Sequence, residues 1–313
     1  MNQRAYDYAF FVCANGLGHL RRSIAVGAKL AGSVVIFADP DRLDRLRPRI
    51  DPLPTNITFI DWPAGSPRIP LVDAGVVVSD NLPDVLDVYP DTILQGSFFW
   101  HDSVQCGPRY IDYCNTLLFS KPRMIGVGEF ASSSVRTRTR FMPVGLYSYN
   151  SYPRQTIPSE RRSILISCGH GAPPELVDQY RAFVRDIWKS SPPPHFSFHV
   201  QPNLLHPTGQ QPIWLRPADY STSMYASLRA AIIRPGLGTI CDVLNANVPI
   251  FPMYEPNNLE MSHNAAVIQE RGYGVDCGDF DETYHYARHH TMSMSVSPMT
   301  GLDDTVRILE SAK

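Results

Sequence analysis

Ile233-Arg234-Pro235-Gly236-Leu237-Gly238-Thr239-Ile240-Cys241-Asp242-Val243-Leu244-Asn245-Ala246-Asn247-Val248-Pro249-Ile250 reads as strand, glycine turn, amphipathic helix and strand. Gly236 and Gly238 lack a Cβ, so backbone N–H groups and the positive end of the following helix can approach a diphosphate. Asp242 falls one turn inside that helix, where a carboxylate can accept from ribose hydroxyls. Alone the turn is a weak signal, because ordinary βα loops also carry glycines.

The second informative stretch lies near the start of the chain. Tyr8-Ala9-Phe10-Phe11-Val12-Cys13-Ala14 runs into Asn15-Gly16-Leu17-Gly18-His19-Leu20-Arg21-Arg22-Ser23. A continuous apolar run suits a parallel strand covered on both faces, and Gly16 and Gly18 supply the tight turn after it. His19 then stands at a helix N-terminus, where the positive dipole end favours the neutral imidazole that a general base requires. A histidine there serves equally well as a capping or packing residue.

Together these residues resemble the GT-B glycosyltransferase class. Gly16 to Ser23 is similar to its N-terminal GxGHxxR turn, and Arg234 to Asp242 to its nucleotide-sugar motif. Pro249-Ile250-Phe251-Pro252 and Asn257-Asn258-Leu259-Glu260-Met261-Ser262-His263-Asn264-Ala265 follow in the order of the class's acid-Gln-x-x-Asn-Ala element. Within the class the turn is most like those of the lipid-linked muramyl-peptide GlcNAc transferases and the pseudaminic-acid-pathway UDP-sugar hydrolases. The resemblance implies an α/β fold of two Rossmann-like domains with parallel sheets facing across a cleft. It assigns the acceptor and the catalytic base to the N-terminal domain, 1–147, and the nucleotide sugar to the C-terminal domain, 155–313.

The resemblance also implies a donor-binding set. Gly18, Arg234, Gly236, Leu237, Gly238, Thr239 and Asp242 come from the two motifs, with Arg234 opening the second. Gly169-His170-Gly171, in a further strand-turn-helix segment, implies N–H groups near the diphosphate. Arg216, in Trp214-Leu215-Arg216-Pro217, belongs to the loop that reads the base. Asn258 and Glu260 match positions near the donor sugar, but Met261 replaces the glutamine there, and a thioether cannot donate to a hydroxyl. That departure leaves the sugar open, and also a homologue that binds without catalysis.

The remaining composition is permissive. A chain of 313 residues is ample for two domains. The 28 basic and 30 acidic residues nearly cancel, so no broad basic field points to nucleic acid or an anionic membrane. Membrane contact is expected to be peripheral at most, because the apolar runs fall short of the ~20 residues a span needs. No segment reads as a secretory leader, and a cytoplasmic protein is expected. Cys13, Cys106, Cys114, Cys168, Cys241 and Cys277 are dispersed without CxxC spacing, so neither a zinc site nor a disulfide framework is expected.

Periodicity predicts strands at 6–14, 33–38, 57–62, 75–80, 92–97 and 122–127, with helices after 18 and 103. It then predicts strands at 163–168, 196–201, 213–216, 230–234, 248–253 and 274–277, with helices near 174–190, 221–229, 239–246 and 258–271. The aromatic, polar stretch 147–154 reads as a linker. A last helix over about 302–312 is amphipathic, and the resemblance implies that it crosses back to the first domain.

In a doubly wound sheet the fourth strand lies beside the first, and ligands gather at the carboxyl ends there. Asp80 closes the fourth predicted strand and is therefore the expected partner of His19, although it equally suits a turn or cap before Asn81-Leu82-Pro83. His101 and Asp102, after Gly96-Ser97-Phe98-Phe99-Trp100, are secondary catalytic candidates, with an aromatic elbow and a helix cap as the plainer reading.

These features predict displacement at the anomeric carbon of a nucleotide-diphosphate sugar, with UDP the favoured nucleotide, no metal or other cofactor, and inversion through base-assisted single displacement. Water as acceptor would make the protein a nucleotide-sugar hydrolase. A non-catalytic nucleotide-sugar-binding protein is the other alternative. A Rossmann dehydrogenase, with Asp39 as its ribose acid, is the weakest competitor because a full GxGxxG turn is missing.

Overall fold

The computed structural model describes residues 5–47, 50, 52–66, 68–103, 106–149, 161–190, 196–205, 212–289, 292 and 294–313. The predicted linker at 147–154 lies outside them from residue 150 onward. The chain divides into two compact units, Met1–Tyr149 with Pro298–Lys313, and Asn150–Ser297.

The first unit runs β1 (Tyr6–Val12), α1 (Leu17–Lys29), β2 (Val34–Ala38), α2 (Pro40–Leu46), β3 (Ile57–Asp61), β4 (Ala74–Asp80), α3 (Val85–Val88), β5 (Ile93–Gln95), α4 (Trp100–Ser103), α5 (Pro108–Leu118), β6 (Arg123–Val127), α6 (Ser133–Arg138) and β7 (Arg140–Val144). Its seven strands are parallel in the order β3-β2-β1-β4-β5-β6-β7. Strands β1 and β2 are apolar on both faces because helices cover both, and Ala9, Phe10, Phe11, Val34, Val35 and Ile36 are fully buried. The strand order reverses between β1 and β4, where Val12 stands opposite Asp80.

The second unit repeats the plan with β8 (Ser163–Ser167), α7 (Pro174–Lys189), β9 (Ser197–Val200), β10 (Leu215–Pro217), α8 (Thr222–Ser227), β11 (Leu228–Ile233), α9 (Leu237–Asn245), β12 (Ile250–Pro252), α10 (Leu259–Glu270) and α11 (Phe280–His289). Its parallel order, β10-β9-β8-β11-β12, reverses between β8 and β11. Helix α7 lays Leu176, Tyr180, Phe183, Val184 and Ile187 onto this sheet at helical spacing, while its other face is charged.

Helix α12 (Gly301–Glu310) belongs to the first unit. Two glycines permit its approach: a Cβ on Gly301 would lie 2.4 Å from the Gly145 carbonyl oxygen, and one on Gly145 would lie 2.7 Å from that of Pro298. Inside the contact the Tyr147 hydroxyl meets Thr305 Oγ1 at 3.2 Å, and at the surface Lys29 pairs with Asp303 at 2.8 Å.

Several predicted elements differ. The predicted strand at 274–277 is reduced to one bridge between Ile250 and Gly274, whose backbones approach so closely that a Cβ on Gly274 would overlap the Ile250 carbonyl. The helix predicted after 103 begins at Pro108, as α5, with the short α4 ending at Ser103 before it, and the one predicted near 221–229 ends at Ser227, where β11 begins. Strand β7 and helices α2, α3, α4, α6 and α11 add to the predicted elements.

Candidate active site

The first unit places His19 in the opening turn of α1 and Asp80 at the last position of β4, with His19 Nδ1 2.7 Å from Asp80 Oδ1. Gly16 makes the turn possible, since its φ of 85° lies in the region where only glycine is unstrained. The helix start carries no side-chain cap, and a Cβ on Gly18 would meet open space. Asp80 is fully buried, whereas the His19 side chain keeps 21% of its surface.

Arg22, one turn beyond His19 on the same helix face, completes the group. Its Nε donates to Asp80 Oδ2 at 3.1 Å and its Nη2 to Oδ1 at 2.5 Å, while Ser23 Oγ lies 3.4 Å from Oδ2. The Arg22 and His19 nitrogens are 3.3 Å apart because both converge on the same carboxylate oxygen. Arginine has no acceptor and cannot be deprotonated. The only tautomer that places a proton in both short contacts therefore carries it on Nδ1, which leaves Nε2 as the basic nitrogen. Burial alone would raise the Asp80 carboxyl, but the charges and hydrogen bonds of Arg22 and His19 outweigh it and hold Asp80 below the usual carboxylate range.

Tyr147 backs this group. The Arg22 guanidinium lies 5.6 Å from its ring centroid, and its hydroxyl accepts from Gln95 Nε2 at 3.0 Å. Arg21 packs over Tyr149 at 4.4 Å. In the sequence Arg22 stands out only as part of the glycine turn. The signal that reveals it is the three-residue separation from His19, which puts both side chains on one helix face.

His101 and Asp102 form a separate cluster on α4. His101 is buried and stacked on Phe99 at 5.4 Å, its Nε2 lies 3.6 Å from Asp102 Oδ1, and its Nδ1 has no partner among the described residues. Asp102 accepts from Ser134 Oγ at 2.7 Å and faces Arg138, which also donates to Asn115. Burial pushes the His101 imidazole down, and Arg138 adds to this against the opposing charge of Asp102. These two residues pack an aromatic elbow and tie α4 to α6.

In the second unit α9 starts at Leu237 with Gly236 as an uncapped N-terminal residue. The N–H groups of Leu237, Gly238 and Thr239 have no carbonyl within the helix to bond. The Gly236 N–H is already used by the Arg234 carbonyl at 2.8 Å, and a Cβ on Gly236 would meet open space. Asn264 fastens the turn from behind, donating to the Pro235 carbonyl at 2.9 Å from a buried position.

Several predicted donor contacts are spent inside the protein. The Gly169 N–H is taken by Gln201 Oε1 at 2.9 Å, and the same oxygen accepts from Ser167 Oγ at 2.8 Å. His170 and Gly171 follow exposed, but α7 starts at Pro174 behind a Pro173 cap, neither with an N–H, so in its first turn only Glu175 and Leu176 offer unbonded helix donors. Arg234 is clamped by Glu255, its Nε 2.9 Å from Oε2, and Asn258 divides its amide between Glu255 at 2.8 Å and the Met261 N–H at 3.2 Å. Burial would raise the Glu255 carboxyl, yet its bonds to Arg234 hold it below the ordinary value. Arg216 is exposed and donates to the Ile213 carbonyl at 2.9 Å.

Asp242 is 6% exposed and lies 3.5 Å from the Tyr225 hydroxyl, while Glu260 is half-buried in the first turn of α10. Met261 is buried, so its thioether packs the core. Asp39 caps α2, its two oxygens accepting from the Arg42 and Ala64 N–H groups. All six cysteines are free. Among the described residues no three His, Cys, Asp or Glu side chains group as metal ligands, and no helix is long and apolar enough to cross a membrane.

No family model and no curated protein matches the sequence. Solved structures do match. The calicheamicin glycosyltransferase CalG4 is 14% identical, with a TM-score of 0.59 over 100% of this chain and 94% of its own. The spinosyn rhamnosyltransferase SpnG is 13% identical, with a TM-score of 0.60 over 98% and 95%. A UDP-glucose:anthocyanidin 3-O-glucosyltransferase in complex with UDP is 11% identical, with a TM-score of 0.60 over 99% and 95%. This chain has the GT-B fold. The likeness runs through both units, and at this identity it speaks for the GT-B architecture alone. SpnG is also known complexed with thymidine diphosphate.

Proposed function

We propose that this GT-B protein is a glycosyltransferase that moves a sugar from a nucleotide-diphosphate donor, UDP-linked in the first instance, to a hydroxyl acceptor with inversion and without a metal. The observation that carries the reading is the 2.7 Å contact between His19 and a buried, ionised Asp80 at the point where the strand order reverses. Asp80 fixes the Nδ1–H tautomer and stabilises the imidazolium that forms when Nε2 takes the acceptor's proton. The acceptor oxygen then attacks the anomeric carbon, the bond to the diphosphate breaks, and single displacement inverts the centre.

The negative charge gathering on the departing diphosphate is assigned to the N–H groups of Leu237, Gly238 and Thr239 and to the α9 dipole, which need no reorganisation during the step. Asp242 is assigned to the ribose, and Glu260 to the sugar hydroxyls. The structural relatives support this reading, being transferases of glucose or rhamnose. Incubation with UDP- and TDP-sugars tests it. Product that forms only with an added hydroxyl acceptor supports transfer, and stoichiometric free sugar without acceptor would replace it with hydrolysis. Nucleotide binding by calorimetry with no turnover of any donor would make the protein a binder.

A further inference from the structure

Asp80 serves two cations. A carboxylate that faces only a histidine forms a neutral pair once the imidazole is protonated, and that neutrality holds the proton. Here the Arg22 guanidinium already cancels the carboxylate through two hydrogen bonds, from Nε at 3.1 Å and Nη2 at 2.5 Å. Protonation of His19 therefore leaves the buried group with a net charge of +1. It also brings the imidazolium to within 3.3 Å of a guanidinium nitrogen. Both effects act against holding the proton.

We infer that Arg22 is a positioning and tuning residue for the base: it locks Asp80 in place and makes the His19–Asp80 pair release its proton at lower pH than a two-membered pair would. This rests on the base role proposed for His19. The groups that face the carboxylate are Arg22, His19 and Ser23 from α1, and the groups around the guanidinium are Tyr147, whose hydroxyl is held by Gln95 and Thr305, and Tyr149. None of these supplies a second negative charge. Burial opposes the Arg22 cation, but the Asp80 charge outweighs it, so the guanidinium stays charged throughout the working range. The chemical gain is turnover: an imidazole that accepts a proton from the acceptor hydroxyl in one step gives it back to solvent before the next.

The test is an NMR titration of protein labelled with 15N-histidine, the His19 signal being assigned by its loss in His19→Gln. Arg22→Gln keeps a hydrogen-bond donor to Asp80 and removes the charge, whereas Arg22→Lys keeps the charge. The expected result is a His19 titration moved to higher pH by about one unit or more in Arg22→Gln and by less than half of that in Arg22→Lys, the scale set by one opposite charge at contact distance. The acid limb of the kcat/KM profile should move with it. A folded Arg22→Gln protein that titrates as the wild type, or equal shifts in the two variants, overturns the inference. If Arg22→Gln does not fold, Asp80→Asn/Arg22→Gln decides. That pair buries no net charge, and its His19 should titrate within about half a unit of wild type if the guanidinium cancels the carboxylate. A fall of about a unit or more would show that the carboxylate acts alone. Because the titration needs no substrate, the expected shift in a protein that turns over no nucleotide sugar would sink the enzymatic reading and leave the electrostatic one standing.

Discussion

The two units share one topology and finish it differently. At the reversal point of the first sheet the turn after β1 and the end of β4 carry His19, Arg22 and Asp80, all titratable or charged. At the reversal point of the second sheet the turn after β11 offers peptide N–H groups, with Asn264 under Pro235 and an Arg234–Glu255 ion pair beside it, while after β8 the amide of Gln201 holds the Gly169 N–H. In the proposed reaction a proton moves at the first place, and groups whose charge changes suit that step. In the same proposal a polyanion is held at the second, where N–H groups that never titrate act alike at any pH. The proposed reaction thus gives base chemistry to one unit and donor capture to the other.

The strongest way to break this comparison is His19→Ala. Turnover should fall by roughly 10²–10⁴, the usual contribution of a positioned base, with UDP affinity by calorimetry almost unchanged. Near-normal turnover would detach the first unit from catalysis. Asp80→Asn should cost less turnover but more stability, because a buried guanidinium then loses its counter-ion. A loss of about 3–5 kcal/mol in urea unfolding is expected, and a loss under about 1 kcal/mol would mean that solvent reaches the group. The pH dependence has the same origin. Asp80 titrates lower in the folded chain than its unfolded value of about 3.9, so its stabilisation is full above that value and is lost as pH falls through the folded one.

On the second unit, Asp242→Ala should weaken UDP binding by about 1–3 kcal/mol with His19-dependent steps intact, the cost of charged hydrogen bonds to a ribose. Unchanged affinity would leave Asp242 as a core carboxylate held by Tyr225. The smallest effect separates the α4 cluster from the base. His101 is held neutral by burial, so the unfolded chain takes up a proton below about pH 6.5 that the folded chain refuses. Stability should therefore decline between pH 7 and 5, and His101→Phe should flatten that decline by up to about 1 kcal/mol without moving the acid limb of turnover. A shifted limb would bring His101 into the reaction.

Much of the first site could be read from residue order. The rule that the fourth strand of a doubly wound sheet lies beside the first is enough to bring Asp80 to His19. Arg22 was missed although its spacing from His19 announces it. Gln201 could not be read, because its partner is a backbone N–H thirty-two residues away whose direction depends on the Gly169 turn, at φ 71°. Glu255 and Arg234 meet because β11 and β12 are neighbours, and only the strand order shows that. Strand β7 was hidden by Pro143, which an edge strand tolerates because no neighbour needs its missing N–H. Helix α2 is short, and its Asp39-Pro40 start was read instead as a possible cofactor acid.

The return of Pro298–Lys313 to the first unit has a consequence for biosynthesis. Tyr147 and Gly145 receive their packing partners Thr305 and Gly301 only after all of Asn150–Ser297 has left the ribosome. At ordinary elongation rates that delay is on the order of ten seconds, long compared with the folding of a small domain. Throughout it the nascent first unit has its seven strands but not the helix that closes over Tyr147, the ring on which Arg22 rests. The half that carries His19 is made first and finished last, so chaperones have their longest opportunity at that uncovered face.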